Sequence, residues 1–381
     1  MKQSITLIAI IILTGGILAF TRQPPQEKYI PVNELRALYS SGDQSRWPEP
    51  FLDSTVAPGF EDIGSLPEMS FPQDNPYSET KKELGKLLFF DPRLSGSKQI
   101  ACASCHDSEI GWGDGRRFSY GHNRQLGVRN SMTLFNVGYA DSLFWDGRAA
   151  SLEEQIHFPL KDTLEMHSDQ QIAVRHIRDI RGYGTWFQKA FGDTLVTFER
   201  IKKALATFER TIVSESTRFD RFIQGESDRL SDREVLGLHL FRTKARCINC
   251  HNTPLFSDNE FHNTGLTYYG RKYEDLGRYD HTGKKEDVGR FRTGSLREIA
   301  VTGPYMHNGL FPHLRGVINL YNAGMPHPKR KAHQLNDSLF PQTSPLLQKL
   351  HLTDKEKLAL RAFLFTLTSR QRREAPPELP Q

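Results

Sequence analysis

The sequence predicts a mainly α-helical protein with long loops, folded as two domains that each surround one copy of a short cysteine motif. Its 381 residues suit two domains of ordinary size better than one. Apolar residues recur mostly at helical spacing, and strand-like alternation is rare and short. The pattern Cys-x-x-Cys-His occurs twice, at residues 102–106 and 247–251, which gives each predicted domain one copy.

Residues 1–22 have the layout of a secretory signal peptide. Lys2 precedes a nearly continuous apolar run over residues 5–20. The small residues of a cleavage site are missing before Thr21, so an uncleaved N-terminal membrane anchor is the alternative, although the run is slightly short for a helix of about 20 apolar residues. No cysteine follows, which excludes a lipoprotein anchor. We therefore expect export to the periplasm.

Residues 23–77 are rich in proline and lack periodicity, and they predict an extended, partly ordered lead-in. The first domain is predicted over residues 78–222. It begins with a helix capped at Ser78 that stops near Asp91, and it ends with a long helix over residues 198–222.

The second domain is predicted over residues 228–370. Ser231 and Glu234 have the spacing of a capping box and start a helix that leads to the second cysteine pair. A last helix is predicted from Thr353 to about Thr368. The glycine-rich loops between these helices are of the kind that wraps a cofactor.

The charge pattern excludes one class of partner. Lys and Arg number 50 against 45 Asp and Glu, and the small excess is scattered rather than gathered into a basic arm. We expect no nucleic-acid partner.

The two Cys-x-x-Cys-His motifs have the attachment signature of c-type haem, in which two thiols bond the porphyrin and the following histidine ligates iron. A redox disulfide and a zinc site are the alternatives. Neither explains a histidine after both pairs, and paired zinc ligands usually lie about 15–20 residues apart. We predict two covalent haems: the attachment residues are Cys102, Cys105, Cys247 and Cys250, and the iron ligands are His106 and His251.

Five further blocks accompany these motifs in order: residues 84–95, 144–149, 261–265, 291–297 and 302–309. In these blocks the sequence resembles the bacterial di-haem cytochrome c peroxidases and the MauG-like enzymes that share their fold. The resemblance implies two cytochrome c-like domains, each wrapping one covalent haem. It also implies that the N-terminal haem is peroxidatic and the C-terminal haem transfers electrons.

The resemblance assigns catalytic roles around the first haem. Gln155 and Glu165 lie ten and twenty residues after Trp145, where the family has its distal residues. Glu165 would move a proton between the two peroxide oxygens, and Gln155 would hold the peroxide by hydrogen bonding. Trp145 would relay electrons between the haems, although core packing also explains it. An ordinary solvated loop residue is the alternative for Glu165.

Two positions concern the remaining iron ligands. His122 falls where the peroxidases carry a histidine that ligates the resting first haem, but an ordinary loop histidine is equally compatible. Tyr321 lies fourteen residues after His307, where peroxidases have methionine and MauG-like members have tyrosine. A tyrosine ligand to the second haem is therefore expected, with a packed aromatic, or ligation by Met306, as the alternatives.

The family also binds calcium between its domains. Asn130, Thr302 and Pro304 match those positions, the last two through backbone oxygens, which suit a hard cation. An asparagine in a turn is the alternative.

These expectations favour a periplasmic peroxidase that reduces hydrogen peroxide to water with electrons from a small cytochrome c or cupredoxin. A MauG-like enzyme that oxidises Trp or Tyr residues of a partner protein is the second hypothesis, favoured by Tyr321. Residues 243–246 offer no aromatic relay for it. A plain di-haem electron carrier is the third. A homodimer is a further expectation from the resemblance.

Overall fold

The structure, a computed structural model, describes residues 29–370 and 373–381. The predicted signal peptide or anchor over residues 1–22 lies outside the described residues. From Val32 onward the chain forms one compact unit. The fold is mainly helical with little strand, as the sequence predicts. None of the helices in the described ranges is long and apolar enough to cross a membrane.

The α-helices of the first half are α1 (Val32–Tyr39), α2 (Glu79–Phe90), α3 (Leu152–Gln155), α4 (His157–Lys161), α5 (Gln170–Arg178), α6 (Arg181–Phe191) and α7 (Phe198–Arg210). Those that follow are α8 (Arg218–Ile223), α9 (Asp232–Arg242), α10 (Tyr279–Thr282), α11 (Leu314–Asn322) and α12 (Asp354–Phe365). Strands β1 (Phe261–Asn263) and β2 (Arg290–Arg292) pair antiparallel, with His262 opposite Phe291. Short 3-10 turns fill many of the loops and include both cysteine motifs.

The predicted helix starts are confirmed. Ser78 accepts a hydrogen bond from the backbone N–H of Lys81 at 3.2 Å at the start of α2. The backbone N–H of Ser231 donates to the Glu234 carboxylate at 2.8 Å at the start of α9. The N–H of Thr353 donates to a carboxylate oxygen of Glu356 at 2.7 Å at the start of α12. These contacts satisfy N–H groups that have no partner within the helix.

A close helix crossing supports each cysteine motif. In the first half α2 meets α7, and a Cβ atom placed on Gly85 would lie 2.0 Å from the carbonyl oxygen of Ala204. In the second half α9 meets α12, and a Cβ on Gly237 would lie 2.1 Å from the carbonyl oxygen of Ala359. Both crossings therefore require glycine, because any side chain would push the backbones apart.

Buried aromatic rings pack beside both crossings. Phe89 follows Gly85 by one turn and lies 5.3 Å from Phe208, and Phe241 follows Gly237 by one turn and lies 5.3 Å from Phe363. The two halves thus use one packing scheme. The exact domain limits, 78–222 and 228–370, stay a prediction.

The continuous helix predicted over residues 198–222 is wrong, because the chain leaves the helix at Thr211 and forms α8 separately. Asn136 accounts for the break. Its side-chain oxygen accepts the N–H of Ser214 at 2.9 Å, and its own N–H donates to the carbonyl of Ile212 at 2.8 Å. A partner distant in sequence therefore takes the backbone groups that would have continued the helix.

The lead-in is more structured than the sequence predicts, since it contains α1 and is pinned to the second half. Arg242 is 1% exposed, and its side chain pairs with Asp62 of the lead-in. Asn249, inside the second cysteine motif, accepts the N–H of Asp53 at 2.7 Å and donates to the carbonyl of Phe51 at 3.0 Å. The prolines of the lead-in remove the periodic pattern from its sequence, but they do not prevent this segment from packing against the second half.

Candidate active site

Each cysteine motif folds into a tight turn that brings its two cysteines and its histidine together. In the first motif the N–H groups of Cys105 and His106 donate to the carbonyl of Cys102 at 3.1 and 3.0 Å. In the second, Cys250 and His251 donate to the carbonyl of Cys247 at 3.2 and 2.9 Å. Two residues between the cysteines are the number that this turn requires.

The two motif histidines are oriented in the same way. His106 Nδ1 donates to the carbonyl oxygen of Trp112 at 3.1 Å, and His251 Nδ1 donates to that of Phe256 at 3.0 Å. Burial lowers the pKa of both imidazoles, which keeps them neutral. With Nδ1 occupied, each ring offers Nε2 as an iron ligand.

The four motif cysteines are half-buried. Burial raises the pKa of Cys105 to about 11 and that of Cys247 to about 12, and it raises the pKa of Cys102 as well. Each turn offers two thiols and one imidazole, and a mostly apolar cavity lies beside the second turn. This set fits a covalently attached porphyrin, with Cys102 and Cys105 holding one group and Cys247 and Cys250 the other.

A mostly apolar cavity adjoins the second motif, and Tyr321 lies on its wall together with Cys247, Cys250 and His251. Burial raises the pKa of the Tyr321 phenol. Met306 lines the same cavity. The structure therefore brings both residues proposed for the second iron to one cavity, and ligation by Tyr321 stays a prediction.

Trp145 also lines this cavity. Its indole N–H donates to the carbonyl oxygen of Asn130 at 2.9 Å, and its ring centre lies 6.4 Å from the ring of His307. His307 in turn stacks on Phe291 with ring centres 3.6 Å apart and planes 8° apart. Burial lowers the pKa of His307 to about 4, so a neutral aromatic stack borders Trp145.

The three residues expected to bind calcium meet at the same cavity. Asn130, Thr302 and Pro304 all line it. The side-chain amide of Asn130 donates to the carbonyl of Arg116 at 2.8 Å, which directs its nitrogen away and leaves its side-chain oxygen as the available ligand atom. Calcium binding itself stays a prediction.

Glu165 and His122 lie side by side in the first half. The backbone N–H of His122 donates to the carbonyl of Glu165 at 2.8 Å. The Glu165 side chain is half-buried, and burial together with the charge of Asp162 raises its pKa to about 7. A carboxyl with this pKa can both accept and donate a proton near neutral pH.

The His122 ring is held edge-on against His167, with ring centres 4.4 Å apart. Its buried Nδ1 has no hydrogen-bond partner among the described residues. Gln155 is half-buried at the end of α3, ten residues before Glu165. The roles of His122 and Gln155 stay predictions.

Sequence reasoning missed an ion-pair cluster between the two halves. Arg129 donates to Asp275 at 2.8 and 2.7 Å and also contacts Asp146, whose other partner is Arg148. The Asp146 and Arg148 positions lie inside one of the recognised blocks, but nothing in the sequence indicates that Arg129 would be their partner.

A second missed group is Asp258 with His262, whose Nε2 lies 2.8 Å from the Asp258 carboxylate. Ligand atoms of both lie within 4.8 Å of one another and of the Cys250 sulfur, as a metal site would require. Attachment of Cys250 to a porphyrin would remove its thiolate from that set, and so we assign no separate metal site here.

The fold and these motifs define a class of protein with two Cys-x-x-Cys-His turns and a carboxyl of raised pKa near the first. Comparison with known proteins agrees. Residues 79–228 match the family described as di-haem cytochrome c peroxidase. Cytochrome-c peroxidase IdrP1 of Pseudomonas sp. (strain SCT) is 34% identical over 344 residues, covering 83% of this chain and 88% of that protein.

Methylamine utilization protein MauG of Methylophilus methylotrophus is 36% identical over 314 residues, covering 81% of this chain and 89% of that protein. A crystal structure of a MauG-like protein associated with microbial copper homeostasis matches with a TM-score of 0.71 and 33% identity, covering 80% of this chain and 93% of that chain. The chain belongs to the di-haem cytochrome c peroxidase and MauG family and is an oxidoreductase. Haem c is the cofactor that this membership implies.

Proposed function

We propose that the protein is an exported di-haem peroxidase, which reduces hydrogen peroxide to water with electrons from a small periplasmic cytochrome c or cupredoxin. The half-buried Glu165, whose pKa is raised to about 7, carries this proposal. A plain electron carrier has no step in which a carboxyl moves a proton from one bound oxygen to another.

Two cytochrome c-like domains would each wrap one haem. Cys102, Cys105 and His106 would hold the first, and Cys247, Cys250 and His251 the second, which accounts for every cysteine of the chain. When bound, haem supplies redox-active iron. The rest of the work falls to side chains of the two halves.

Glu165 would accept a proton from the peroxide oxygen nearer to the first iron and donate it to the oxygen farther from that iron, so that the outer oxygen can leave as water. Gln155 would hold the peroxide by hydrogen bonding, and His122 would cover the first iron in the resting protein. Tyr321 would ligate the second iron, and Trp145 would pass electrons between the two haems. Asn130, Thr302 and Pro304 would bind calcium.

Steady-state turnover tests the proposal. Full-length protein made with haem-attachment machinery should contain two haems per chain and oxidise reduced cytochrome c rapidly when peroxide is added. Glu154→Gln, in which an exposed carboxyl near the site is removed, should keep this rate. Two haems per chain together with no peroxide-dependent oxidation would contradict the peroxidase and support an electron carrier.

Tyr321 favours a second candidate function, a MauG-like oxidation of Trp or Tyr residues in a partner protein. A tyrosine ligand stabilises higher oxidation states of iron, whereas methionine raises the reduction potential. This candidate needs an aromatic side chain that relays electrons from the partner protein to the second haem. Phe51 of the lead-in packs against Arg246, with the guanidinium 4.8 Å from the ring centre, but phenylalanine is a poor electron relay. Slow turnover with long-lived oxidised spectra after peroxide addition would support this candidate over the first.

A further inference from the structure

Glu209, in α7, is a buried acid that the proposed reaction does not use. It is 5% exposed, and its Oε2 atom has no hydrogen-bond partner among the residues that the structure describes. Its natural partner is the neighbouring Arg210, but both guanidinium nitrogens of Arg210 donate to Glu153, at 2.7 and 2.8 Å. A buried carboxyl without a cation is expensive to ionise, so a specific reason for its presence is needed.

The position of Glu209 indicates what it could serve. Its charge is close enough to the Cys102 sulfur to raise the pKa of that thiol, and Cys102 is the residue through which the first porphyrin would be attached. The preceding residue of α7, Phe208, lies 6.0 Å from the ring of Trp112, whose carbonyl accepts the hydrogen bond of His106. Glu209 therefore lies near the turn that would hold the first haem, on the helix that packs against α2 at Gly85.

Few other charges act on this carboxyl. Arg210 on its own helix lowers its pKa, and Glu153 of α3 raises it. Burial outweighs both and raises the pKa to about 8. Glu165 acts on Cys102 from the other neighbouring segment, and so it is a second titratable group beside the same haem.

We propose that Glu209 is the redox-linked proton site of the first haem: it holds one proton when the iron is reduced and releases it to solvent when the iron loses an electron. The inference rests on the proposed function only in requiring a haem at Cys102. Oxidation removes one electron, taken by peroxide or by a chemical mediator, and adds one positive charge to the site. In a medium of low dielectric constant, a carboxylate formed beside it compensates that charge, and reduction takes the proton back.

Redox titration of the two-haem protein between pH 6 and 10 tests the proposal. The midpoint potential of the first haem should fall as the pH rises. The fall should reach at most 59 mV per pH unit, which corresponds to a tenfold change in the equilibrium constant of a one-electron reduction. Glu209→Gln keeps the shape and should abolish the fall above pH 7.5. Glu199→Gln, on the same helix but exposed and paired with Lys202 at 2.7 Å, should not change it.

Glu165 could contribute its own slope, and so the titration is repeated in a Glu165→Gln background. The slope should persist there and disappear when Glu209→Gln is added. Glu209→Asp, which retains the acid, should restore it. The infrared difference between oxidised and reduced protein should contain a protonated-carboxyl band that Glu209→Gln removes.

An unchanged slope in Glu209→Gln, or an infrared band that survives it, would overturn the proposal. Fewer than two haems per chain in the wild-type protein would instead contradict the proposed function, since the attachment count does not depend on Glu209. A normal slope without peroxide turnover would leave the proton site standing and refute only the peroxidase.

Discussion

Replacement of Glu165 by glutamine isolates the proton-transfer step, because glutamine keeps the side chain's size and its capacity for hydrogen bonds but cannot take a proton. General acid–base catalysis typically contributes about 100-fold to 10,000-fold in rate. We therefore expect kcat/KM for hydrogen peroxide to fall by that factor in Glu165→Gln, with both haems still attached. The measurement is stopped-flow or steady-state oxidation of reduced cytochrome c.

The pH profile gives a sharper test. The carboxylate form of Glu165 accepts the proton, so kcat/KM should be level above about pH 7 and fall about tenfold per unit below it, as expected for one group with a pKa near 7. An unshifted glutamate would give a level profile down to about pH 4.5. A level profile between pH 5 and 8 would therefore refute the assignment.

The stability of the folded protein should depend on pH in the opposite direction to kcat/KM, because stability should fall as the pH rises. Burial raises the pKa from 4.5 to about 7, which corresponds to about 3 kcal/mol at about 1.4 kcal/mol per unit. Because the folded protein binds the proton more tightly than the unfolded chain, stability is lost as pH rises from about 4.5 through 7. Glu165→Gln should thus unfold at a higher temperature than wild type at pH 8 and at an equal temperature at pH 4. A gain equal at both pH values would contradict this origin.

Two further predictions concern the second iron and the helix crossings. Tyr321→Phe should remove the phenolate absorption and change the paramagnetic resonance of the second haem only, whereas Tyr273→Phe, at an exposed ring, should leave both signals intact; an unchanged spectrum in Tyr321→Phe would exclude ligation. Gly85→Ala and Gly237→Ala should each destabilise the protein by at least about 1–3 kcal/mol in thermal or denaturant unfolding, because the new methyl would meet a backbone carbonyl. Gly59→Ala, with open space around it, should be near neutral, and equal losses at all three glycines would contradict the crossing geometry.

Local signals in the sequence predicted the helix starts, because a cap depends on residues only three positions apart. Ser231 and Glu234 needed no knowledge of the rest of the chain. The break after α7 could not be predicted in this way. It depends on Asn136, which is distant in sequence and becomes a neighbour of Ser214 only in the fold.

The residues of the candidate site also divide into those that a local sequence pattern predicts and those that only the fold reveals. The attachment cysteines and histidines follow from a five-residue motif, and Glu165 followed from spacing within a recognised family. Glu209 has no motif, and its isolation becomes visible only when Arg210 is found to be engaged by Glu153, which lies more than fifty residues earlier. Whether a charged group has a partner depends on its neighbours in the fold, and a single sequence does not show those neighbours.

The two halves share a frame but differ in the chemistry around it. Each directs a motif histidine to a carbonyl on a residue with positive φ, Trp112 at 56° and Phe256 at 57°. Glu165 and Glu209, two carboxyls with raised pKa, both lie near the first motif. Among the described residues that line the cavity of the second motif there is no Asp or Glu.

This difference is what the chemistry of peroxide requires. Reduction of one peroxide to two waters consumes two electrons and two protons, but the protons are needed only where oxygen is bound. An iron that only passes electrons needs no acid that delivers protons to oxygen. Asp258, a carboxyl close to Cys250 of the second motif, is held beside His262 and has a lowered pKa. Two carboxyls of raised pKa near the first motif and a paired carboxylate of lowered pKa near the second therefore fit the division of labour in the proposed peroxidase.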